Sequence, residues 1–545
     1  MENPIIQDQY LAARAYFLCV IGMLFLESIV RLPAQFRSLA HRGRPFIKAS
    51  SPGHTRVAVA LHKLLTLPSP IPILTNHHAA NFLRFAVLLG LNIVFGVNDN
   101  EFTTDFKLYG WLTIANGGLA LLLAARTNLF FIIAQIPSPV LLVYHRWIGI
   151  ATMVHATIHF ALNTQHYIAT DQLADSFSNL RIQVGAMAWA SLVLIALTSA
   201  PIIRRRFFEI FYYSHALFFL FMVGALIHAT KGPEFLLPGL LLWGCDRFLR
   251  FYYNFRSINT TAVQHHHGDV VKIKFEGMKP RHPGQMTWVQ IPSVSFLNWH
   301  PFTIASAPGD EGATLAIRGL GGYTRKVQGI IPGDGETSSE HVTTCQEMET
   351  KTGKLRIRLD GPYGVGRVCW GEQPLTVLVA GGIGITPGIS IATHLIQRAA
   401  SADACALQGK SWHIHMLWAV KDVESIEWFG DELRNLAALA ADPGVPATFN
   451  ISVYVTGRGA ARADEGEDGH AMAGRTSQHG IPGELRQGRP DVLGWFEGVR
   501  RIHPCLDAAV NVCGPSRLIR DVRIAASKVS STKSTFYVEE EVFEF

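Results

Sequence analysis

Four histidines lie inside long apolar runs, where an ionisable side chain is costly and usually functional. His145 and His159 fall in Leu141–Leu162, and His215 and His228 in Phe207–Ala229. The first pair is fourteen residues apart, about 21 Å of helix rise and nearly four turns, so both face one way near opposite ends. The second pair is thirteen apart, about 19.5 Å and about 3.6 turns, so its depth matches but its azimuth on an ideal helix does not. Both runs cross in the same direction, which sets His145 level with His215 and His159 level with His228. Two imidazoles facing each other at one depth can ligate a haem iron axially, and two such irons in a column make an electron path. Zinc is disfavoured, because nothing supplies a third or fourth ligand at either depth. A single membrane histidine could equally hydrogen-bond a neighbouring helix or line a polar cavity. His155 has no depth-matched partner and keeps that plainer reading, as does His265-His266-His267 in an expected loop.

Further along, two strings offer phosphate and ring contacts. His300-Pro301-Phe302-Thr303-Ile304-Ala305-Ser306 ends a β-prone segment, with Phe302 and Thr303 presenting a flat apolar surface and a hydroxyl. In Ile317-Arg318-Gly319-Leu320-Gly321-Gly322-Tyr323-Thr324, Arg318 can pair with a phosphate, Gly321 and Gly322 admit backbone amides to it, and Thr324 adds a donor. Each string alone is an ordinary turn signal; together, ahead of a nucleotide fold, they point to a flavin. Gly381-Gly382-Ile383-Gly384-Ile385-Thr386-Pro387 follows an apolar strand and opens a helix, the placement a pyrophosphate needs. Cys513-Gly514-Pro515 ends a later strand, at the edge where such sheets face ligand. Lys421 closes the strand His413–Val420 and is either a ribose-phosphate partner or a solvated lysine. The final Phe545 either stacks on a flavin ring or belongs to a frayed tail.

These groups need a membrane part and a soluble part to hold them. Of 545 residues, 48% are hydrophobic and only 17% charged, which excludes a disordered or nucleic-acid-coating chain and any nucleic-acid partner. The 7 cysteines contain no CxxC, against a disulfide framework or thiolate zinc site. Long apolar runs crowd before residue 256: Leu11–Val30, Ala80–Val97, Leu108–Ala125, Leu141–Leu162, Ile182–Ile203, Phe207–Ala229 and Phe235–Phe255. Each approaches the ~20 residues of a spanning helix. The first follows an acidic leader (Glu2, Asp8) and reads as an anchor rather than a cleavable signal. Links alternate between basic (Arg31 to Lys63) and acidic (Asp99, Glu101, Asp105), predicting seven crossings, an external amino terminus and a cytosolic second half.

From residue 258 to about 370 the segments are short, β-prone and punctuated by Gly and Pro, predicting a small antiparallel β-barrel. From 374 to 545, strands alternate with helices, predicting a doubly wound parallel sheet. Its polar stretch 457–489, with Asp464 to Gly469, reads as a disordered surface insertion. The organisation expected is thus 1–107 membrane segments with a cytosolic loop, 108–256 the histidine-bearing helices, 258–370 the flavin domain and 374–545 the nucleotide domain.

At this point the residues resemble the ferric reductase and NADPH oxidase superfamily, and within it the fungal ferric-chelate (metallo)reductases. His145-Arg146-Trp147-Ile148-Gly149 is similar to its haem-helix opening, His300 to Ser306 to its flavin signature, and Leu359-Asp360-Gly361-Pro362-Tyr363-Gly364 to its interdomain turn. Gly381 to Pro387 with Cys513 to Pro515 resembles its NADPH site, and the histidine spacings match too, including the unequal second one. The resemblance implies a ferredoxin reductase-like soluble half behind the membrane helices. It implies two haem b held by His145 with His215 and His159 with His228, and FAD around Phe302, Thr303, Ser306, Arg318 and Thr324. Lys421, assisted by Arg458, tilts the nucleotide towards NADPH. It further implies plasma-membrane reduction of external ferric or cupric chelates for iron uptake, alongside an iron permease partner. Ser214 stands where the oxidases typically carry a second adjacent histidine, which sets superoxide formation second. A transporter with a nucleotide-sensing domain, its histidines relaying protons, is the alternative from another class.

Overall fold

The computed structural model describes residues 6, 8–40, 55–66, 79–97, 103–125, 136, 138–254, 257–296, 298–330, 355–364, 370–401, 411–457 and 483–541. Arg458, Phe545 and most of the stretch 457–489 lie outside the described residues. The chain divides into two compact units. One comprises Met1–Arg37, Ala80–Phe251 and Phe543–Phe545; the other comprises Ser38–Ala79 and Tyr252–Val542.

The first unit is helical. Its helices are α1 (Gln9–Ala40), α3 (Ala79–Gly96), α4 (Phe106–Ala124), α5 (Ser138–Ala169), α6 (Leu180–Thr198), α7 (Phe208–His228, interrupted by a 3₁₀ turn at His215–Leu217) and α8 (Pro233–Asn254). Every apolar run is therefore helical, but among the described residues four helices, not the expected seven, are long and apolar enough to cross a bilayer by length and composition. They are Gln9–Ile29 of α1, α4, α6 and α7. The others fall short for visible reasons. The apolar part of α3, Asn81–Gly96, is brief, α5 is diluted by Arg146 and four histidines, and α8 carries Asp246, Arg247 and Arg250.

Small residues let these helices approach, as they do where lipid offers no hydrophobic driving force. A Cβ on Gly118 of α4 would overlap the Phe235 carbonyl of α8, and one on Gly224 of α7 would lie 2.8 Å from the Ala188 Cβ of α6. Buried polar groups are paired across helices. Arg84 donates to both carboxylate oxygens of Glu27, which also accepts from the Tyr144 hydroxyl at 2.7 Å. The Tyr16 hydroxyl donates to Asn116 Oδ1 at 2.6 Å and accepts from Asn92 Nδ2 at 3.0 Å.

The second unit holds α2 (Arg56–Thr66), α9 (Gly322–Gln328), α10 (Thr386–Ala400), α11 (Gly430–Ala440), α12 (Val492–Ile502), α13 (Ser516–Val529) and two six-stranded sheets. The antiparallel sheet runs β4-β3-β6-β1-β2-β5, with β1 Ser257–His266, β2 Val270–Phe275, β3 Met286–Gln290, β4 His300–Thr303, β5 Ala313–Arg318 and β6 Arg356–Tyr363. It is open rather than a closed barrel: among the described residues, β4 and β5 are tied beyond the strands by the one bridge Ile304 to Leu315. His265 and His266 sit in β1 opposite Val271 and Val270, so the expected loop there is strand.

The parallel sheet runs β10-β9-β8-β7-β11-β12, with β7 Leu375–Gly381, β8 Trp412–Val420, β9 Ala447–Val455, β10 Gly483–Gln487, β11 Ala508–Cys513 and β12 Phe536–Glu541. Every described pairing in it is parallel. Its central strands β7 and β11 are buried almost throughout, the pattern of a sheet covered on both faces. The stretch read as a disordered insertion ends in β10, which pairs with β9 as an edge strand of the sheet. The terminal acidic segment likewise contains β12, an edge strand in register with β11.

Candidate functional site

The membrane histidines come together as two facing pairs. His145 and His215 have ring centroids 6.1 Å apart, and so do His159 and His228. A metal-bound imidazole nitrogen lies about 2 Å from its ion, so two rings across one ion have centroids about 6 Å apart. The azimuthal deficit of α7 is partly met by the 3₁₀ turn that starts at His215. At three residues per turn instead of 3.6, three residues recover about 60° of a gap of roughly 140°.

Second partners set the tautomers. His145 Nδ1 donates to the Ala120 carbonyl at 2.8 Å, His159 Nδ1 to Phe106 at 2.6 Å, and His228 Nδ1 to Arg181 at 2.9 Å. A carbonyl only accepts, so each Nδ1 carries the proton and each Nε2 keeps its lone pair for a metal. Among the described residues, His215 Nδ1 is buried without a hydrogen-bond partner. Glycines clear the rings: a Cβ on Gly110 would lie 3.0 Å from His159, and one on Gly185 would lie 2.5 Å from His228 Nδ1. A cavity of about 330 Å³ opens there, lined among others by His159, His228, Gly110, Gly185, Lys107 and Arg181. This donor set fits a bis-imidazole haem. His155 Nε2 instead lies 3.0 Å from Asn92 Oδ1, a bond to a neighbouring helix.

In the second unit the flavin and nucleotide strings touch. The Arg318 guanidinium lies over Trp428, 5.3 Å from its ring centroid, and a Cβ on Gly382 would sit 3.2 Å from Arg318 Nη1. His300 stacks on Tyr323 at 4.0 Å, and Tyr323 accepts from the Ile291 amide, which fixes this aromatic pair at the end of β4. Pro301 and Thr303 are buried and Phe302 is half-buried along β4. The Ser306 carbonyl accepts from Ser390 of α10 (Thr386–Ala400) at 2.8 Å. Thr324 is placed differently from the expectation of a free donor. Its hydroxyl accepts from the Leu320 and Gly321 amides at 3.0 and 2.9 Å, holding that turn closed ahead of Gly322.

The two nucleotide strings also meet. A Cβ on Gly384 would overlap the Cys513 carbonyl, and one on Gly381 would lie 2.7 Å from Pro515 Cδ, with Gly514 Cα 3.4 Å away. Only glycine allows that approach, and Gly382 further requires its φ of +57°. Thr386 donates to the Ile383 carbonyl at 2.7 Å and Pro387 opens α10, so the loop delivers a helix amino end to the carboxyl edge of the sheet. Lys421 stands exposed at the end of β8, and its carbonyl accepts from the Gly457 amide at 2.9 Å.

Sequence reasoning missed Glu541. From the end of β12 its carboxyl group turns inward, accepting from Thr303 Oγ1 and Asn511 Nδ2, both at 3.4 Å. Burial pushes its pKa up to about 8, aided by Glu539, and pushes the neighbouring buried Cys513 thiol up as well. Glu541 therefore holds a proton at neutral pH beside the flavin string. Its signal was the β-prone Phe536-Tyr537-Val538 before the acidic run, which marks a strand rather than a tail.

Comparisons with known proteins run in the same order as these sites. Residues 109–226 match the family described as ferric reductase like transmembrane component, 255–367 an FAD-binding domain and 375–527 the ferric reductase NAD binding domain. The chain is 26% identical to NADPH oxidase 1 of Mus musculus over 423 residues, covering 68% of this chain and 67% of that one. It is 31% identical to probable ferric reduction oxidase 1 of Arabidopsis thaliana over 265 residues, covering 46% and 35%. A ferredoxin NADP+ reductase from Neisseria gonorrhoeae, solved with bound FAD and NADP, aligns with 52% of this chain and 98% of its own at 14% identity and a TM-score of 0.34.

Proposed function

This chain belongs to the ferric reductase and NADPH oxidase superfamily, and we propose that it is a transmembrane ferric-chelate reductase, nearest in kind to the fungal metalloreductases. When bound, FAD would convert the two-electron hydride of NADPH into the single electrons that haem irons carry. The observation that supports an outward electron path is the pair of level imidazole couples at one common spacing of 6.1 Å.

The residues take distinct parts. Gly381, Gly382 and Gly384 let backbone approach a pyrophosphate, the start of α10 stabilises its charge, and Lys421 engages a 2′-phosphate of NADPH. Arg318 neutralises the flavin phosphates, while His300, Pro301, Phe302, Thr303 and Ser306 line the ring side. Glu541 keeps a proton at its carboxyl oxygen within reach of Thr303, so no buried negative charge opposes a hydride arriving there. His145 with His215 and His159 with His228 present four Nε2 atoms, and the carbonyl bonds of Nδ1 orient those of His145, His159 and His228. An inside-negative potential favours outward electron movement by ~2.3 kcal/mol per 100 mV.

Ferric, or cupric, chelate as acceptor is supported by Ser214, whose hydroxyl donates to Thr198 Oγ1 at 2.7 Å where the oxidases typically carry histidine. Reduction at an exposed haem edge suits many chelates. The proposed setting is the plasma membrane, with the soluble domains cytosolic, lipid around the helices and an iron permease taking the product. Superoxide formation is the second reading, favoured by the likeness to NADPH oxidase 1.

The deciding experiment is NADPH-driven reduction of impermeant ferric chelates by oriented vesicles without oxygen. An undiminished anaerobic rate supports the reductase. A rate that requires oxygen and is abolished by superoxide dismutase overturns it in favour of the oxidase.

A further inference from the structure

The short helix α2 has two working faces. One packs on the nucleotide domain: Val59 is 8% exposed, and His62 Nε2 donates to the Phe536 carbonyl at 3.0 Å. The His62 ring also meets Tyr537 edge-on at 5.3 Å, and α2 contacts α13 (Ser516–Val529). Phe536 and Tyr537 belong to β12, the edge of the parallel sheet, so α2 covers an edge that would otherwise expose backbone groups.

The opposite face is apolar and bare. Val57, Leu61 and Leu64 are 77%, 53% and 60% exposed, and their i, i+4, i+7 spacing puts them on a single stripe. At about 100° per residue, the stripe lies roughly opposite Val59, His62 and Thr66, while Arg56 and Lys63 fall together along its flank. The surrounding sequence is one-signed. From Arg31 to Lys63 it carries Arg31, Arg37, Arg42, Arg44, Lys48, Arg56 and Lys63, and no Asp or Glu occurs between Glu27 and Asp99. The helix is tethered between α1 and α3. Residues 67–78 are all that separates it from α3, a maximum reach of about 40 Å.

We propose that α2 is an interfacial helix that binds the anionic cytoplasmic leaflet through Val57, Leu61 and Leu64 while its other face holds the nucleotide domain. An apolar stripe flanked by cations is the pattern of a helix lying in the headgroup boundary, and acidic lipid complements its charge. The bilayer would thereby become a docking partner of the NADPH-binding domain, and lipid charge would govern how firmly that domain is held.

The test uses the full chain in nanodiscs of phosphatidylcholine, alone or with one third phosphatidylserine. An environment-sensitive fluorescent amino acid is placed at position 61 or 64, with exposed Ala441 as control. Headgroup-level nitroxide lipids should quench positions 61 and 64 at least threefold more than 441, and more strongly with phosphatidylserine. The double variant Arg56→Glu/Lys63→Glu should lose that lipid dependence while its NADPH oxidation with a soluble dye persists, which shows the fold intact. Equal quenching at 61, 64 and 441 would overturn the proposal. So would shielding of 61 and 64 from aqueous iodide without lipid quenching, which would put a protein surface, such as a second copy, over the stripe.

Discussion

Gly185→Ala is the most direct probe of the His159–His228 imidazole pair. The added Cβ would stand 2.5 Å from His228 Nδ1 and 2.8 Å from its Cε1, against the ~3.5 Å of a comfortable contact. The ring must therefore retreat by about 1 Å, taking its 2.9 Å bond to the Arg181 carbonyl beyond hydrogen-bond range. Losing that bond costs about 1 kcal/mol, and crowding a packed site adds about 1–3 kcal/mol. A total of about 2–4 kcal/mol disfavours the ligating orientation by roughly 30- to 1000-fold. Haem per chain, measured on purified protein alongside FAD, should fall from two to about one with FAD unchanged. The dithionite-reduced spectrum should lose about half its α-band. Gly149→Ala is the control: among the described residues nothing beyond its own stretch of helix lies within 4 Å of its would-be Cβ, and it should keep both haems. A Gly185→Ala protein with two haems and an unaltered spectrum would refute the assignment of His228 as a ligand.

Other perturbations separate the remaining parts. His145→Ala should remove the other haem, leaving NADPH oxidation with a soluble dye near the parent rate, since the flavin half is untouched; haem quantitation and dye reduction check it. Glu541 keeps its proton up to about pH 8, against 4.5 for an ordinary carboxyl, so the folded state binds the extra proton in that window. Its contribution to stability is present at low pH and lost as pH rises through about 8, and stopped-flow flavin reduction by NADPH should slow over the same range. Glu541→Gln should flatten that profile; an unchanged fall above pH 8 would contradict the role. Lys421→Ala should raise the KM for NADPH about tenfold, ~1.4 kcal/mol, and leave that for NADH unchanged. Gly384→Ala drives a methyl into the Cys513 carbonyl and should abolish nucleotide-dependent activity while haem content holds, as steady-state rates and spectra would report.

Much of this was legible along the chain because its signals are local. A glycine string after the apolar strand Leu375–Ala380 reads as a phosphate turn, and the structure puts it at the start of α10 as that pattern requires. Spacing set His145 and His159 on one face. It left His215 and His228 out of phase, because a count at 3.6 residues per turn carries no sign of the 3₁₀ turn at His215–Leu217. Hydropathy located all seven helices but overstated how many are apolar enough to span, since Arg146 in α5 and Asp246 in α8 lie within otherwise apolar runs. The barrel expectation failed for a related reason. Strand propensity marks the six strands, whereas closure depends on hydrogen bonds between β4 and β5 that reduce to one bridge.

Sequence alone determined the chemical inventory: which imidazoles sit in apolar runs, which loops are glycine-rich between strand and helix, and the order of membrane, flavin and nucleotide parts. Tertiary structure decided what those groups meet. Glu541 becomes a buried, proton-holding acid only because β12 pairs with β11 and carries it to Thr303, 238 residues away in sequence. Arg318 reaches Gly382, and His62 reaches Phe536, by the same kind of distant closure. Residue type and period are properties of a few neighbouring positions, whereas burial and proton affinity depend on the whole set of atoms that packing brings within a few ångströms.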